Sequence, residues 1–214
     1  MLVAKIRSAS LVGLAIISVP SAAFGAAFVN GGFETGTDPG ASTKLNAGSA
    51  DLWGWTIGGN SVDYVGSGWA AMEGTRSIDL SGIGAGNIAQ TFTTVAGRNY
   101  TVTFFLAGNP DAGPMVKTIR TSATGNAAQV DHFDATSHSH GAMGWAPITY
   151  AFKASGTSTT LRFASLNEGS AGPVIDNVSI ASVPEATSWS MMLAGFGMLG
   201  SILRLRRRTT SALA

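Results

Sequence analysis

QTFTTVAGRNYTVTFFLAG, residues Gln90 to Gly108, is the stretch on which the fold turns. Phe92, Val95, Val102, Phe104 and Leu106 are interleaved with threonines, a period of two that suits a pleated strand with one buried face. The break AGRN (Ala96–Asn99) carries the glycine and asparagine of a tight turn. The segment reads as a hairpin, with its second strand buried on both sides near Phe104–Leu106.

Working outward, the same pattern recurs. MVKTIRTSA (Met115–Ala123), ITYAFKAS (Ile148–Ser155), TTLRFASL (Thr159–Leu166) and VIDNVSIA (Val174–Ala181) are rich in β-branched and aromatic residues. GNPDAGP (Gly108–Pro114), SGTS (Ser155–Ser158) and NEGSAGP (Asn167–Pro173) punctuate them. Short strands at this spacing, with no helical period between them, predict an all-β, antiparallel sandwich over residues 26–182. No internal repeat is present.

Composition agrees. Of 214 residues, 45% are hydrophobic, 12% are charged and 28 are glycine, the profile of an exported, turn-rich β protein. The net charge of +1 hides a segregation. Between Phe28 and Thr187 there are 7 Lys and Arg against 12 Asp and Glu, a net of −5. An acidic domain argues against a nucleic-acid partner. Cysteine is absent, which excludes disulfides, a catalytic thiol and Cys-ligated metals, so burial alone holds the core.

Both ends differ from the middle. Lys5 and Arg7, an apolar stretch from Ala9 to Val19 and small residues around Ala23–Ala27 form a secretory signal peptide, residues 1–25, cleaved after Gly25 or Ala27. At the other end Ser188–Leu203 carries no charge, and Arg204, Arg206, Arg207 and Arg208 stop it. As a helix this run would span about 24 Å, short of the roughly 30 Å hydrocarbon core. The arginines suit the cytoplasmic side of a membrane, leaving the domain outside and residues 209–214 as a cytoplasmic tail.

Taken in order, FVNGGFETG (Phe28–Gly36), WGWTIGGNSVDYVG (Trp53–Gly66), GTRSIDLSG (Gly74–Gly82), the opening stretch and GPVIDNVSI (Gly172–Ile180) resemble the choice-of-anchor C family of exported bacterial proteins. That family is related to a plant cell-wall domain family and, more distantly, to galactose-binding-like jelly rolls. The resemblance implies an eight- or nine-stranded jelly-roll sandwich of carbohydrate-binding ancestry. It also implies that the first and last strands lie side by side. Glu34 and Asp176 would then be carboxylates of an oxygen-rich calcium site, the one cofactor expected. The other reading is that Glu34 caps a turn and Asp176 is a hydrogen-bonded strand residue.

Aromatic side chains outside the clear strands are the candidates for sugar contact, since an indole stacks on the C–H face of a sugar while amides and carboxylates take its hydroxyls. Trp69, in the Gly-flanked GSGW, and Trp145 are favoured, with Tyr64 beside them. Asp63, Asn109 and Asp111 are the polar partners. Trp53 and Trp55, at i and i+2, would share one strand face and suit a core equally well. DHFDATSHSHGAMGW (Asp131–Trp145) holds all three histidines; its residue types suit zinc or copper, but the spacing matches no defined motif. No G-x-S-x-G elbow, H-E-x-x-H or P-loop occurs, and no enzyme activity is expected.

The tail, Val183-Pro184-Glu185 followed by the apolar run and the arginine cluster, resembles the PEP-CTERM sorting signal (residues 183–208), with Ala186 where the family's motif has a second proline. That resemblance implies an exosortase partner cutting near the motif, a Gram-negative host with an extracellular polysaccharide matrix, and transient residence in the inner membrane. The expected protein is thus an exported, non-enzymatic surface or matrix protein that binds polysaccharide. The alternatives are an adhesion protein that contacts other proteins without a sugar site, and a tail-anchored envelope protein.

Overall fold

The computed structural model describes residues 26–183. The expected signal peptide (residues 1–25), Pro184 and Glu185 of the expected sorting motif, the apolar run, the four arginines and residues 209–214 lie outside the described residues. Eleven strands run β1 (Ser42–Asn46), β2 (Thr56–Gly59), β3 (Ser61–Val65), β4 (Ser77–Asp79), β5 (Gly86–Thr93), β6 (Asn99–Gly108), β7 (Val116–Ala123), β8 (Gln129–Asp134), β9 (Ala146–Lys153), β10 (Ser158–Ser165) and β11 (Pro173–Ser182). They form a six-stranded sheet in the order β1-β3-β4-β11-β6-β9 and a five-stranded sheet in the order β2-β5-β10-β7-β8, all antiparallel. This is the jelly-roll sandwich, with eleven strands in place of eight or nine. Among the described residues no helix is long and apolar enough to cross a membrane.

The opening stretch holds one correction. Its two strands belong to different sheets: β5 pairs with β2 and β10, β6 with β11 and β9. The AGRN turn is therefore a corner, stitched to the β9–β10 connection by Thr94 N–H to Thr157 O at 2.9 Å and Gly97 N–H to Ala154 O at 2.7 Å. Alternation on β6 buries Tyr100, Val102, Phe104 and Leu106 and leaves Thr101, Thr103 and Phe105 half-buried; burial on both faces begins only at Leu106.

The core between the sheets is aromatic. Phe104 lies edge-on to Phe163 at 4.9 Å, and Trp55 meets Phe28 at 5.7 Å and Phe33 at 5.4 Å. Such pairs add about 0.5–1.5 kcal/mol each beyond the area they bury. Trp55 satisfies its indole N–H on Asn30 O at 2.9 Å. Trp53 does not share its face: Gly54 between them takes φ +83°, so the segment is a turn, Trp55 goes inside and Trp53 stays 55% exposed.

Candidate ligand cleft

The β3–β4 connection and the segment before β1 face each other across an open cleft of about 620 Å³, lined by Asp38, Pro39, Gly40, Trp69, Thr75 and Arg76 among others. Its two walls are joined at the base by Gly66 N–H to Ala41 O at 3.1 Å and Ser67 N–H to Gly40 O at 3.0 Å. A Cβ on Gly66 would lie 2.3 Å from Gly40 O, so only glycine lets these walls approach so closely. Asp38 Oδ1 accepts the Gly40 N–H at 3.0 Å, an Asx turn that presents the rest of the carboxylate outward.

Arg76 is fixed from below. Its Nη1 donates to Tyr64 Oη at 2.6 Å and to Gly36 O at 3.3 Å, and the guanidinium carbon sits 5.4 Å over the Tyr64 ring. Tyr64 is buried and donates in turn to Phe33 O at 2.5 Å; burial pushes its phenol pKa up. Tyr64 is thus the support of a cleft residue and does not line the cleft itself. Among the described residues Arg76 and Asp38 take no part in an ion pair, so both keep polar capacity toward the cleft.

Trp69 is braced from behind. Its indole stacks on the His140 imidazole, centroids 5.2 Å apart and planes 28° apart, and His140 Nε2 lies 2.8 Å from Asp111 Oδ1. Ala70 N–H bonds His140 O at 2.8 Å, and Trp145 Nε1–H bonds Ala70 O at 3.1 Å. Three connections, β3–β4, β6–β7 and β8–β9, therefore meet behind one indole. Trp69, Trp145 and Asp111 are brought together, with Trp69 at the cleft and the other two supporting it.

Asn109 and Asp63 lie elsewhere. Asn109 is buried, its Nδ2 donating to Asp79 Oδ2 at 2.8 Å and its Oδ1 accepting Asp111 N–H at 2.9 Å. Asp63, half-buried on β3, is in register with Lys44 of β1 and Asp79 of β4, and burial pushes its pKa up. Asp79 accepts Ser81 N–H at 2.8 Å and Gly172 N–H at 3.1 Å; burial pushes its carboxyl to about 8 despite these donors. Close by, the buried Lys117 Nζ bonds Ala112 O at 2.6 Å and Ala171 O at 2.9 Å. These groups pin the loops at one end of the sandwich.

Glu34 and Asp176 both face the β3–β4 connection. Asp176 Oδ2 accepts Met72 N–H at 2.8 Å and Glu73 N–H at 3.0 Å, and Oδ1 accepts Asn177 N–H at 2.6 Å. Glu34 Oε1 accepts Thr75 N–H at 2.8 Å and Arg76 N–H at 2.9 Å, and Oε2 accepts the Thr75 hydroxyl at 3.0 Å. The first segment does lie beside the last strand, with Val178 N–H on Gly31 O at 2.9 Å. As a donor set the pair falls short of the six to eight oxygens calcium takes, and N–H groups already hold both carboxylates. Among the described residues no three of His, Cys, Asp and Glu come together as a metal-holding group.

The histidines separate because His132 lies on β8, whereas His138 and His140 lie in the folded β8–β9 connection. His132 Nδ1 bonds Thr118 Oγ1 at 3.0 Å on β8, His138 packs on Phe133, and His140 supports Trp69. Asp38, Arg76 and His140 are cleft or support residues that the sequence reading did not select. Arg76 carried one signal, a lone cation after Gly-Thr in an acidic domain.

Comparison with known proteins gives the chain its family. Residues 26–181 match the family described as protein of unknown function, DUF642, and the chain belongs to it. Residues 182–208 match the PEP-CTERM protein-sorting motif, which implies export to the cell surface. Halomucin of Haloquadratum walsbyi is 31% identical over 175 residues, 78% of this chain, and the chain spans 2% of that protein's length. Among solved structures, TmCBM61 in complex with beta-1,4-galactotriose is similar at TM-score 0.45 and 16% identity, over 73% of this chain and 99% of that one. A family 16 carbohydrate-binding module gives 0.45 and 16% over 72% and 98%, and a family 35 module from Clostridium thermocellum 0.45 and 15% over 66% and 99%.

Proposed function

We propose that this DUF642 chain is a non-enzymatic surface or matrix protein that binds a polysaccharide in the cleft between Asp38–Gly40 and Gly66–Arg76. The observation that carries the reading is the meeting of three groups on that cleft: the Trp69 indole, the Arg76 guanidinium and the Asp38 carboxylate. An indole offers a flat apolar platform for the C–H face of a sugar. A carboxylate accepts from, and a guanidinium donates to, neighbouring hydroxyls of the same ring. With the acidic Asp38 and Glu34 near Arg76, the local charge favours a neutral hexose over a uronate.

On the same proposal residues 1–25 direct export, the apolar run holds the chain transiently in the inner membrane of a Gram-negative cell, and an exosortase cuts near Val183–Glu185. The choice-of-anchor C assignment belongs to this proposal as well. The calcium expected at Glu34 and Asp176 is left out of this proposal, because backbone N–H groups already hold both carboxylates. Thermal shift at millimolar calcium should accordingly show no stabilisation; a clear rise in melting temperature would restore it.

Glycan-array binding of the full chain and of Trp69→Ala is the deciding experiment. The expected result is binding to neutral hexose polysaccharide that weakens about tenfold or more without the indole. Absence of binding to every polysaccharide, the host's own matrix included, favours a protein-contacting adhesin. Release of reducing sugar from a bound ligand would overturn the non-enzymatic reading.

A further inference from the structure

The outward face of the five-stranded sheet reverses the charge of the domain. On β10 the residues Thr159, Leu161, Phe163 and Ser165 point inward, so Thr160, Arg162 and Ala164 point outward. On β7 Lys117, Ile119, Thr121 and Ala123 are inside and Thr118, Arg120 and Ser122 outside. The register sets Arg162 opposite Ser122 and Ala164 opposite Arg120, which makes Arg120 and Arg162 diagonal neighbours on adjacent strands. Diagonal positions are about 7–8 Å apart, within reach of long side chains.

No acidic side chain among the described residues neutralises this pair. Among the described residues neither arginine forms an ion pair. Asp131 is in register with the inward Ile119, so it belongs to the other face. Asp134, opposite Val116 at the far end of β8, is tied to Thr136 through its N–H at 3.0 Å and its hydroxyl at 2.5 Å. Around the arginines the face carries Ala89 and Ala164, Ser122 and the Thr91–Thr160 pair at 2.7 Å, with the exposed Val130 of β8 opposite Arg120 and His132 opposite Thr118. Two of the seven cations of a domain with net charge −5 thus stand together on a flat floor of mostly small side chains.

We infer that this sheet face is a second binding surface, separate from the cleft, and that its ligand is an acidic polysaccharide whose carboxylates or sulfates pair with Arg120 and Arg162. A flat, extended floor suits an extended chain, and a guanidinium takes a carboxylate or sulfate through two parallel N–H bonds. The phenylalanines of these five strands, Phe92, Phe133 and Phe163, all point inward, and the one outward ring, His132, is bonded to Thr118 at 3.0 Å, so the run of stacking aromatics on which single-stranded nucleic acid relies is missing. Charge, with hydroxyls alongside, is the recognition chemistry here, whereas the cleft offers a ring platform.

The test is affinity electrophoresis of the full chain through gels containing polygalacturonate, compared with gels containing neutral dextran. At about 20 mM salt, where screening is weak, the wild-type chain should be retarded by polygalacturonate and not by dextran. Arg120→Gln/Arg162→Gln should weaken that retardation about tenfold, and Arg120→Lys/Arg162→Lys should recover part of it. Trp69→Ala should retain it in full, which keeps this surface distinguishable from the cleft. Unaltered melting of the Gln variant establishes that it folds; if it melts early, the Lys variant against wild type becomes the comparison. Absent retardation of wild type, equal retardation by dextran, unchanged retardation of the Gln variant, or equal retention on single-stranded oligothymidine would each overturn the inference.

Discussion

Glu34 and Asp176, from opposite ends of the domain, grip one loop: Asp176 takes the N–H groups of Met72 and Glu73, and Glu34 those of Thr75 and Arg76. Gly74 sits between the two grips at φ +62°, and a Cβ there would lie 2.4 Å from Glu34 Oε1. Gly74→Ala combines left-handed strain with that collision, so it should cost about 1–3 kcal/mol. Because the same loop carries Arg76, sugar affinity in the cleft should fall with stability. Urea denaturation and a binding isotherm on one preparation check both.

The two buried carboxyls set a pH dependence. Burial raises Asp176 to about 6 and Asp79 to about 8, against 3.8 for an ordinary aspartate. The folded state therefore keeps protons that the unfolded chain has released. This contribution to stability is full below about 3.8 and is lost as pH rises, first through about 6 and then through about 8. Thermal melting should fall by several degrees between about pH 5 and about pH 8.5, on the order of a few kcal/mol. Asp79→Asn keeps the shape without the titration, so the slope above about pH 6 should flatten. A melting temperature rising with pH across this window would contradict the assignment.

The strands of the second half were legible because threonine and β-branched residues alternate with large apolar ones in β5, β6, β7, β10 and β11. What alternation reports is face, not partner, and so the Gln90–Gly108 stretch read as a hairpin when it crosses between sheets. β1 was not legible because four of its five residues are exposed, and β4 because three residues give no period. Trp69 stood out through its glycine neighbours. Asp38 and Arg76 did not, because their meeting depends on β1 pairing with β3 and on carboxylates from both chain ends folding the loop between β3 and β4.

His140 positions the cleft indole without lining the cleft. Removing the imidazole takes away one stacked face of Trp69 and the 2.8 Å approach of His140 Nε2 to Asp111 Oδ1. His140→Ala should therefore weaken sugar binding by about three- to tenfold, as expected for losing about 0.5–1.5 kcal/mol of ring contact. Dissociation should quicken while association stays nearly constant. His140→Phe restores a ring but not the Asp111 contact, so it should recover part of the affinity. Equal affinity in the wild type and His140→Ala would mean that Trp69 is held by its own loop.

Lys117 tests whether the buried end of the sandwich reaches the cleft. Its ammonium bonds Ala112 O and Ala171 O, joining the β6–β7 and β10–β11 connections, and burial pushes its pKa down. Lys117→Met preserves the length of the side chain but leaves two carbonyls without their donor. Hydrogen bonds from a charged group contribute roughly 1.5–3 kcal/mol, offset by the desolvation that the amine no longer suffers. The variant should be less stable by about 1–3 kcal/mol at neutral pH, with an unchanged denaturant slope. Since Asp111 sits next to Ala112, its hold on His140 should slacken, and sugar affinity should drop less than in His140→Ala. A Met variant more stable than wild type would mean that desolvation of the amine outweighs both carbonyl bonds, and that the loops are held by Asp79 and Asn109 instead.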